Sequence, residues 1–183
     1  MANAAAAQSG SDPTGQPFTI SRLLDAPREL VWKAWSEKDQ LQKWWGPKGF
    51  AIAVQKKLGF QPQGVFHYSM TAANGSVMWG RFVYQDIVPP EKIVWLNSFS
   101  GPDGSVTRAP FPGMELWPLE VTNTVSMAGD GAKTHLTLRA YPHNASVEER
   151  LFFEGFFASL TQGFGGTLDQ LEAHLAQQQG RPS

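Results

Sequence analysis

Side chains able to do covalent or acid–base chemistry are few in this chain, and they are widely scattered. The four histidines, His67, His135, His143 and His174, lie far apart, and none stands at metal-ligand spacing from another histidine or a carboxylate. Cysteine is absent, which removes disulfides, thiolate metal sites and a cysteine nucleophile. There is no Gly-x-Ser-x-Gly elbow, no phosphate-cradling glycine loop and no pair of carboxylates. Acid–base chemistry would therefore fall to a buried Glu120, Asp86 or His135 acting on a bound organic molecule. Asp86 is expected instead to cap the turn before Pro89-Pro90. His135 alternates with Leu136 and shares a face with Thr137 and Arg139, which favours a surface strand position. His67, between Phe66 and Tyr68, is expected to face solvent. These residues assign no catalytic group, cofactor or metal.

The chemistry the sequence does offer is that of a binding site. Seven Trp and twelve Phe stand among 183 residues. On alternating strand positions Phe66, Tyr68 and Met70 share a face. Trp79 and Arg81 share another, opposite Phe82 and Tyr84, and Trp95, Asn97 and Phe99 share a third; Trp117, Leu119, Val121 and Asn123 alternate likewise. Aromatic surface carrying a few oriented polar groups suits a largely apolar ligand site. Trp35, Trp44, Trp45 and Trp32 come from a helix pair. Of these Trp45 is the weakest candidate to face a cavity, because Gly46-Pro47 places it at a turn; Trp35 is taken as a lining residue. Phe156, Leu160 and Phe164 supply a helical wall, and Phe111 a loop contribution. Mutation of Trp95 or Phe156 is then expected to change ligand affinity more than stability.

Three kinds of element must hold these residues. Phe153, Phe156, Phe157, Leu160, Phe164, Leu168, Leu171 and Leu175 recur at helical spacing, which predicts a long helix from Ser146 to about Gln178. Ser146 and Glu149 form a capping-box pattern at its start. Gly163, Gly165 and Gly166 each cost a helix interior about 1 kcal/mol. Close packing on a sheet is the favoured reason, with a hinge or a break near Gly165 as the alternative. Before this helix, Phe18 to Leu24 reads as a strand, and Pro27 to Trp35 and Leu41 to Trp45 as two short helices, with Ser36 as the second cap. Phe50 to Leu58, Gly64 to Ala72, Val77 to Val88, Lys92 to Phe99, Leu116 to Met127 and Thr134 to Tyr141 follow a period of two. Asn74-Gly75 marks a hairpin. Ser100 to Glu115 is a long connection, either a lid over a pocket mouth or a loop whose apolar residues tuck against the sheet edge.

Composition bounds the rest. A net charge of −1 offers no electrostatic footprint for nucleic acid, and the chain holds no apolar run of bilayer-spanning length. Residues 1–16, rich in Ala, Ser and Gly, read as a disordered tail and not a signal peptide. Residues 17–178 read as one domain and 179–183 as a C-terminal tail, with a cytoplasmic location expected.

Several stretches carry a family likeness. Phe18-Thr19-Ile20-Ser21-Arg22, Ala26-Pro27-Arg28-Glu29-Leu30-Val31-Trp32, Leu41-Gln42-Lys43-Trp44-Trp45-Gly46-Pro47, Gly80-Arg81-Phe82 with Asp86-Ile87-Val88-Pro89-Pro90, and Gly163-Phe164 with Leu168-Asp169-Gln170-Leu171 resemble the family named for the activator of the ninety-kilodalton heat-shock-protein ATPase. That family sits in the SRPBCC superfamily with START and birch-pollen-allergen domains. The resemblance implies an α+β helix-grip fold, in which a seven-stranded antiparallel curved sheet carries two short helices after strand one and a long C-terminal helix over its concave face. It also implies binding of a small hydrophobic, lipid- or polyketide-like molecule between sheet and helix. A cyclase, aromatase or hydrolase working in that cavity, or a co-chaperone-like interaction module with a protein partner or a second copy, are the alternatives the superfamily leaves open. This chain departs from the family at Gly165-Gly166, where better helix formers are usual.

Overall fold

The computed structural model describes residues 15–54 and 59–180. The strand expected over Phe50 to Leu58 is observed as β2, Ala51–Val54, and residues 55–58 lie outside the described residues, as does most of both expected tails. The fold is α+β. Strand β1 (Phe18–Leu24) leads into helices α1 (Arg28–Ser36) and α2 (Lys38–Trp44), and β3 (Val65–Thr71), β4 (Val77–Val88) and β5 (Lys92–Ser100) follow β2. A two-residue β6 (Val106–Thr107), β7 (Glu120–Asp130) and β8 (Lys133–His143) complete the strands, and α3 (Val147–Gly155) and α4 (Phe157–Gln178) close the chain. The expected strand at Leu116 begins only at Glu120, since Pro118 has no N–H to give a ladder.

Seven strands lie in the order β1-β8-β7-β5-β4-β3-β2, every neighbour antiparallel, and β6 adds an eighth by pairing with the end of β5. The expected Asn74-Gly75 hairpin is present. Thr71 pairs with Val77, and the Asn74 carboxamide accepts from the Ser76 amide at 3.0 Å. Register decides which residues face the helices. Phe66 opposes Phe82, Phe82 opposes Asn97, and Asn97 opposes Val121. Tyr84 opposes Trp95, Trp95 opposes Asn123, and Asn123 opposes Ala140. These rows face inward under α1, α2 and α4, where Trp35 meets Trp95 at 5.6 Å and Phe18 meets Phe164 at 5.8 Å between ring centroids.

The C-terminal segment is two helices instead of one. Its capping box forms as expected, Ser146 accepting from the Glu149 amide and the Glu149 carboxylate accepting from the Ser146 amide. Arg108 also donates to Glu149 at 2.7 Å, and that contact, with the cap, holds the carboxyl below its ordinary range. The break falls at Phe156, where φ is −95° and ψ is 3°, and not at Gly165. Gly155 ends α3 just before it, Trp117 packs there on Phe153 at 5.2 Å and on Phe156 at 5.7 Å, and the Phe156 amide turns back to the Phe153 carbonyl. The glycines lie inside an uninterrupted α4. The expected cap at Ser36 is likewise replaced. Ser36 ends α1, and α2 starts after Glu37 with no side-chain cap.

Polar contacts fix α4 on the rest of the domain. Arg22 reaches Asp169 at 2.8 Å and Glu172 at 3.1 Å, tying β1 to the helix. Gln170 donates to the Gly46 carbonyl at 2.6 Å. His174 is buried and lies 2.7 Å from Gln40 of α2. Burial, with Lys43 nearby, lowers the His174 pKa from its usual 6.5. The folded state therefore binds this proton less readily than the unfolded chain does. Stability is full above about pH 6.5 and falls as the pH drops below it. A series of thermal unfolding curves should show Tm decreasing on that limb, and His174→Gln should flatten it. An unchanged slope in the variant would place the titrating group elsewhere. Among the described residues no helix is long and apolar enough to cross a membrane, and no three His, Cys, Asp or Glu side chains cluster as metal ligands.

Candidate binding cavity between sheet and C-terminal helix

A glycine and the tyrosine that covers it form the floor of the cavity. Gly80 sits in the middle of the inward face, paired with Tyr68 of β3 on one side and Phe99 of β5 on the other. With no side chain there, the Tyr68 phenol leans across the gap; a Cβ on Gly80 would lie 2.7 Å from its Cζ and Oη. A lone glycine in a strand commonly marks such a close approach. Above this floor lies a cavity of about 280 Å³, near the small end of the roughly 300–1,000 Å³ usual for ligand sites. Met70, Met78 and Phe99 wall it on the sheet side, and Leu160, Gly163, Phe164 and Thr167 of α4 on the helix side. Trp45, Gly46 and Pro47 close one end and Phe111 stands at the mouth. Phe111 is 46% exposed and meets the edge of Phe99 at 5.9 Å, so the long connection does send an apolar side chain to the opening.

The structure sorts the residues expected to line the site into four groups. Tyr68, Asn97, Phe99, Phe111, Leu160 and Phe164 are brought together around the cavity. Trp35, Phe66 and Trp95 lie beneath it in the buried core, and Trp117 and Phe156 pack at the α3–α4 break. Trp79 and Arg81 belong to the outer face. Although the Trp79 position touches the cavity, its indole stacks on His67 at 5.2 Å. The expectation that His67 is solvated is corrected there. The ring does point away from Phe66 and Tyr68, but the turn at Gly101 to Gly104 covers it and the ring is only 5% exposed. His67 Nε2 donates to the Gly101 carbonyl at 3.1 Å and Arg81 donates to the Gly104 carbonyl at 3.0 Å. These two side chains hold the start of the long connection against the sheet.

Trp45 reverses the other expectation. Gly46 adopts φ +97°, and the turn it makes swings Trp45 inward onto Phe82 at 5.0 Å. The Trp45 indole also hydrogen-bonds the Tyr68 hydroxyl. Burial pushes the Tyr68 phenol up to about 12, the indole offsetting part of that rise, and burial raises Tyr84 as well. Both phenols are thus neutral at physiological pH. Met78, Gly80 and Thr167 escaped the sequence reading, while Met70 is expected on the face it takes, and Trp45 and Gly163 are weighed there but not assigned to the wall; a lone Gly80 among alternating large residues is the one signal that could find the floor.

None of the acid–base candidates reaches the cavity wall. Asp86 does not cap the proline turn. A bulge between Tyr84 and Asp86 turns it outward, where it pairs with Lys92 at 2.9 Å. His135 is exposed beside Asp130 at 3.4 Å; Glu120 opens β7 in register with His143, and although its neighbour Val121 opposes Asn97, Glu120 is not part of the wall.

The model of the family described as "Activator of Hsp90 ATPase homolog 1-like protein" matches residues 25–176. Among solved structures, a protein from Arthrobacter aurescens is similar at a TM-score of 0.71 and 23% identity, over 88% of this chain and 86% of that one. A protein from Nitrosomonas europaea follows at 0.67 and 22%, over 90% and 96%. A third, from Staphylococcus epidermidis, stands at 0.66 and 19%, over 91% and 94%. No curated protein matches the chain significantly.

Proposed function

The chain belongs to the Activator of Hsp90 ATPase homolog 1-like family, and from that premise we propose that it binds a small apolar molecule in the cavity between its sheet and α4. Proteins of this fold commonly bind hydrophobic ligands. The observation that carries the reading here is the apolar cavity whose floor is Gly80 and the Tyr68 ring leaning over it, walled by Trp45, Met70, Met78, Phe99, Leu160 and Phe164 and reached past Phe111. Apolar surface left uncovered beside a Trp- and Phe-rich core is stabilised when a ligand removes it from water, at roughly 25 cal/mol per Å².

Gly163 supplies the test. A Cβ there would meet nothing within 4 Å, and the residue lines the cavity. Gly163→Leu therefore extends a side chain into the space without displacing the core. N-phenyl-1-naphthylamine, a neutral apolar fluorophore, is expected to bind the wild type saturably at one site. The variant should lose at least about tenfold in affinity, a change of roughly 1.4 kcal/mol, with its circular dichroism unchanged. Undiminished binding by a folded variant would move the probe, and the function, out of this cavity.

A further inference from the structure

The cavity wall contains no side chain that is charged at neutral pH, and its polar groups are few. The Thr167 hydroxyl is already engaged by the carbonyls of Gly46 and Gly163, each at 3.1 Å. The Tyr68 oxygen receives the Trp45 indole, and since an indole can only donate, that bond does not use the phenol's own hydrogen. Asn97 is more exceptional. Its Oδ1 is buried with no hydrogen-bond partner, on a residue that lines the cavity. A buried amide left unpaired costs about 1–3 kcal/mol.

These two groups border the same floor. Tyr68 leans over Gly80 toward β5, and Asn97 lies two residues from Phe99, the partner of Gly80 on that strand. Diagonal positions on neighbouring strands are about 7–8 Å apart, so one small polar group lying between Asn97 and the Tyr68 hydroxyl that covers Gly80 can meet both. Turning the Asn97 carboxamide about its last bond presents either its oxygen or its N–H. A phenol can then donate to Asn97, and a ketone can accept from Asn97 and Tyr68. A carboxylate or ammonium would be stripped of water and meet no counter-charge, whereas a plain hydrocarbon would leave the amide unpaired. We infer that the cavity selects a neutral aromatic molecule carrying one uncharged oxygen function, a phenol or an aryl ketone, with that oxygen directed at Asn97 and Tyr68. This rests on the cavity-binding reading and adds the class of ligand.

Calorimetric titration at pH 7 with 2-naphthol, 2-methylnaphthalene and 2-naphthoate tests it, since the three share one ring system and differ in the polar group. 2-Naphthol should bind about tenfold tighter than 2-methylnaphthalene, with 2-naphthoate weakest. Asn97→Leu should bring the naphthol-to-methylnaphthalene ratio close to one, and Tyr68→Phe should narrow it. Equal affinities in the wild type, preference for the naphthoate, or a ratio untouched in both variants would overturn the polar anchor while leaving an apolar cavity standing. Should Asn97→Leu fail to fold, the ratio in Tyr68→Phe decides alone. No binding of any of the three, together with no binding of N-phenyl-1-naphthylamine, would overturn the cavity reading itself.

Discussion

Phe82→Ala is expected to lower the free energy of unfolding by about 3–5 kcal/mol, the range for deleting a large aromatic side chain from a packed core. Phe82 is 1% exposed, and its ring lies 5.0 to 6.3 Å from those of Trp45, Phe66, Tyr68, Tyr84 and Trp95. Each of those neighbours is itself held from behind: Phe66 stacks on Tyr68 at 4.8 Å, and Trp35 covers Trp95. They cannot all collapse into the space a phenyl ring vacates. Trp95 belongs to the same cluster, so its truncation should also be read in stability, contrary to the expectation that it would act through affinity. Leu160→Ala makes the contrast, because Leu160 is only half-buried and already borders empty space. Its cost should stay near 1 kcal/mol, below the usual buried-leucine range. Urea unfolding followed by tryptophan fluorescence measures all three. A loss under 1 kcal/mol for Phe82→Ala would mean that the cluster is not the packed centre of the domain.

That cluster shows how far the sequence can be read. Alternation correctly separates Trp79 and Arg81 from Phe82 and Tyr84, because successive side chains on a strand point to opposite faces. It does not say which face the helices cover. That choice depends on register across five strands and on loops far away in sequence, so alternation alone leaves open whether Trp79 with Arg81 or Phe82 with Tyr84 lies under the helices. The bulge after Tyr84 is a second obstacle. Beyond it Ile87, and not Asp86, opposes Ile93 on the inner side, since one extra residue exchanges the two faces. A capping box, by contrast, is local, and Ser146 with Glu149 forms it as written. The α3–α4 break is only half local: Gly155, the last residue of α3, weakens the helix there, but the packing of Phe156 on Trp117, about forty residues upstream, cannot be read from the surrounding sequence.

Replacing Gly163, Gly165 and Gly166 together by alanine is expected to stabilise the protein by about 2–3 kcal/mol, roughly 0.8–1 kcal/mol for each. Two explanations were available for three glycines in four residues of a helix. Close packing against the sheet requires a neighbour where a Cβ would go, yet at all three positions nothing lies within 4 Å. A hinge requires an interruption, yet α4 runs unbroken from Phe157–Gln178. What remains is a helix that forgoes intrinsic stability along the stretch that borders the cavity, where Gly163 forms part of the wall. The methyl groups would restrict the unfolded chain and meet no obstacle in the folded one, so the gain should appear in full. Chemical unfolding checks the magnitude. The informative comparison is between Gly163→Ala, which narrows the cavity, and Gly165→Ala with Gly166→Ala, neither of which lies in its wall. Equal gains in stability, with ligand affinity reduced only by the first, would show that Gly163 is kept for the space it leaves. Destabilisation by the triple variant would mean instead that the helix approaches a neighbour more closely than the 4 Å of clear space allows.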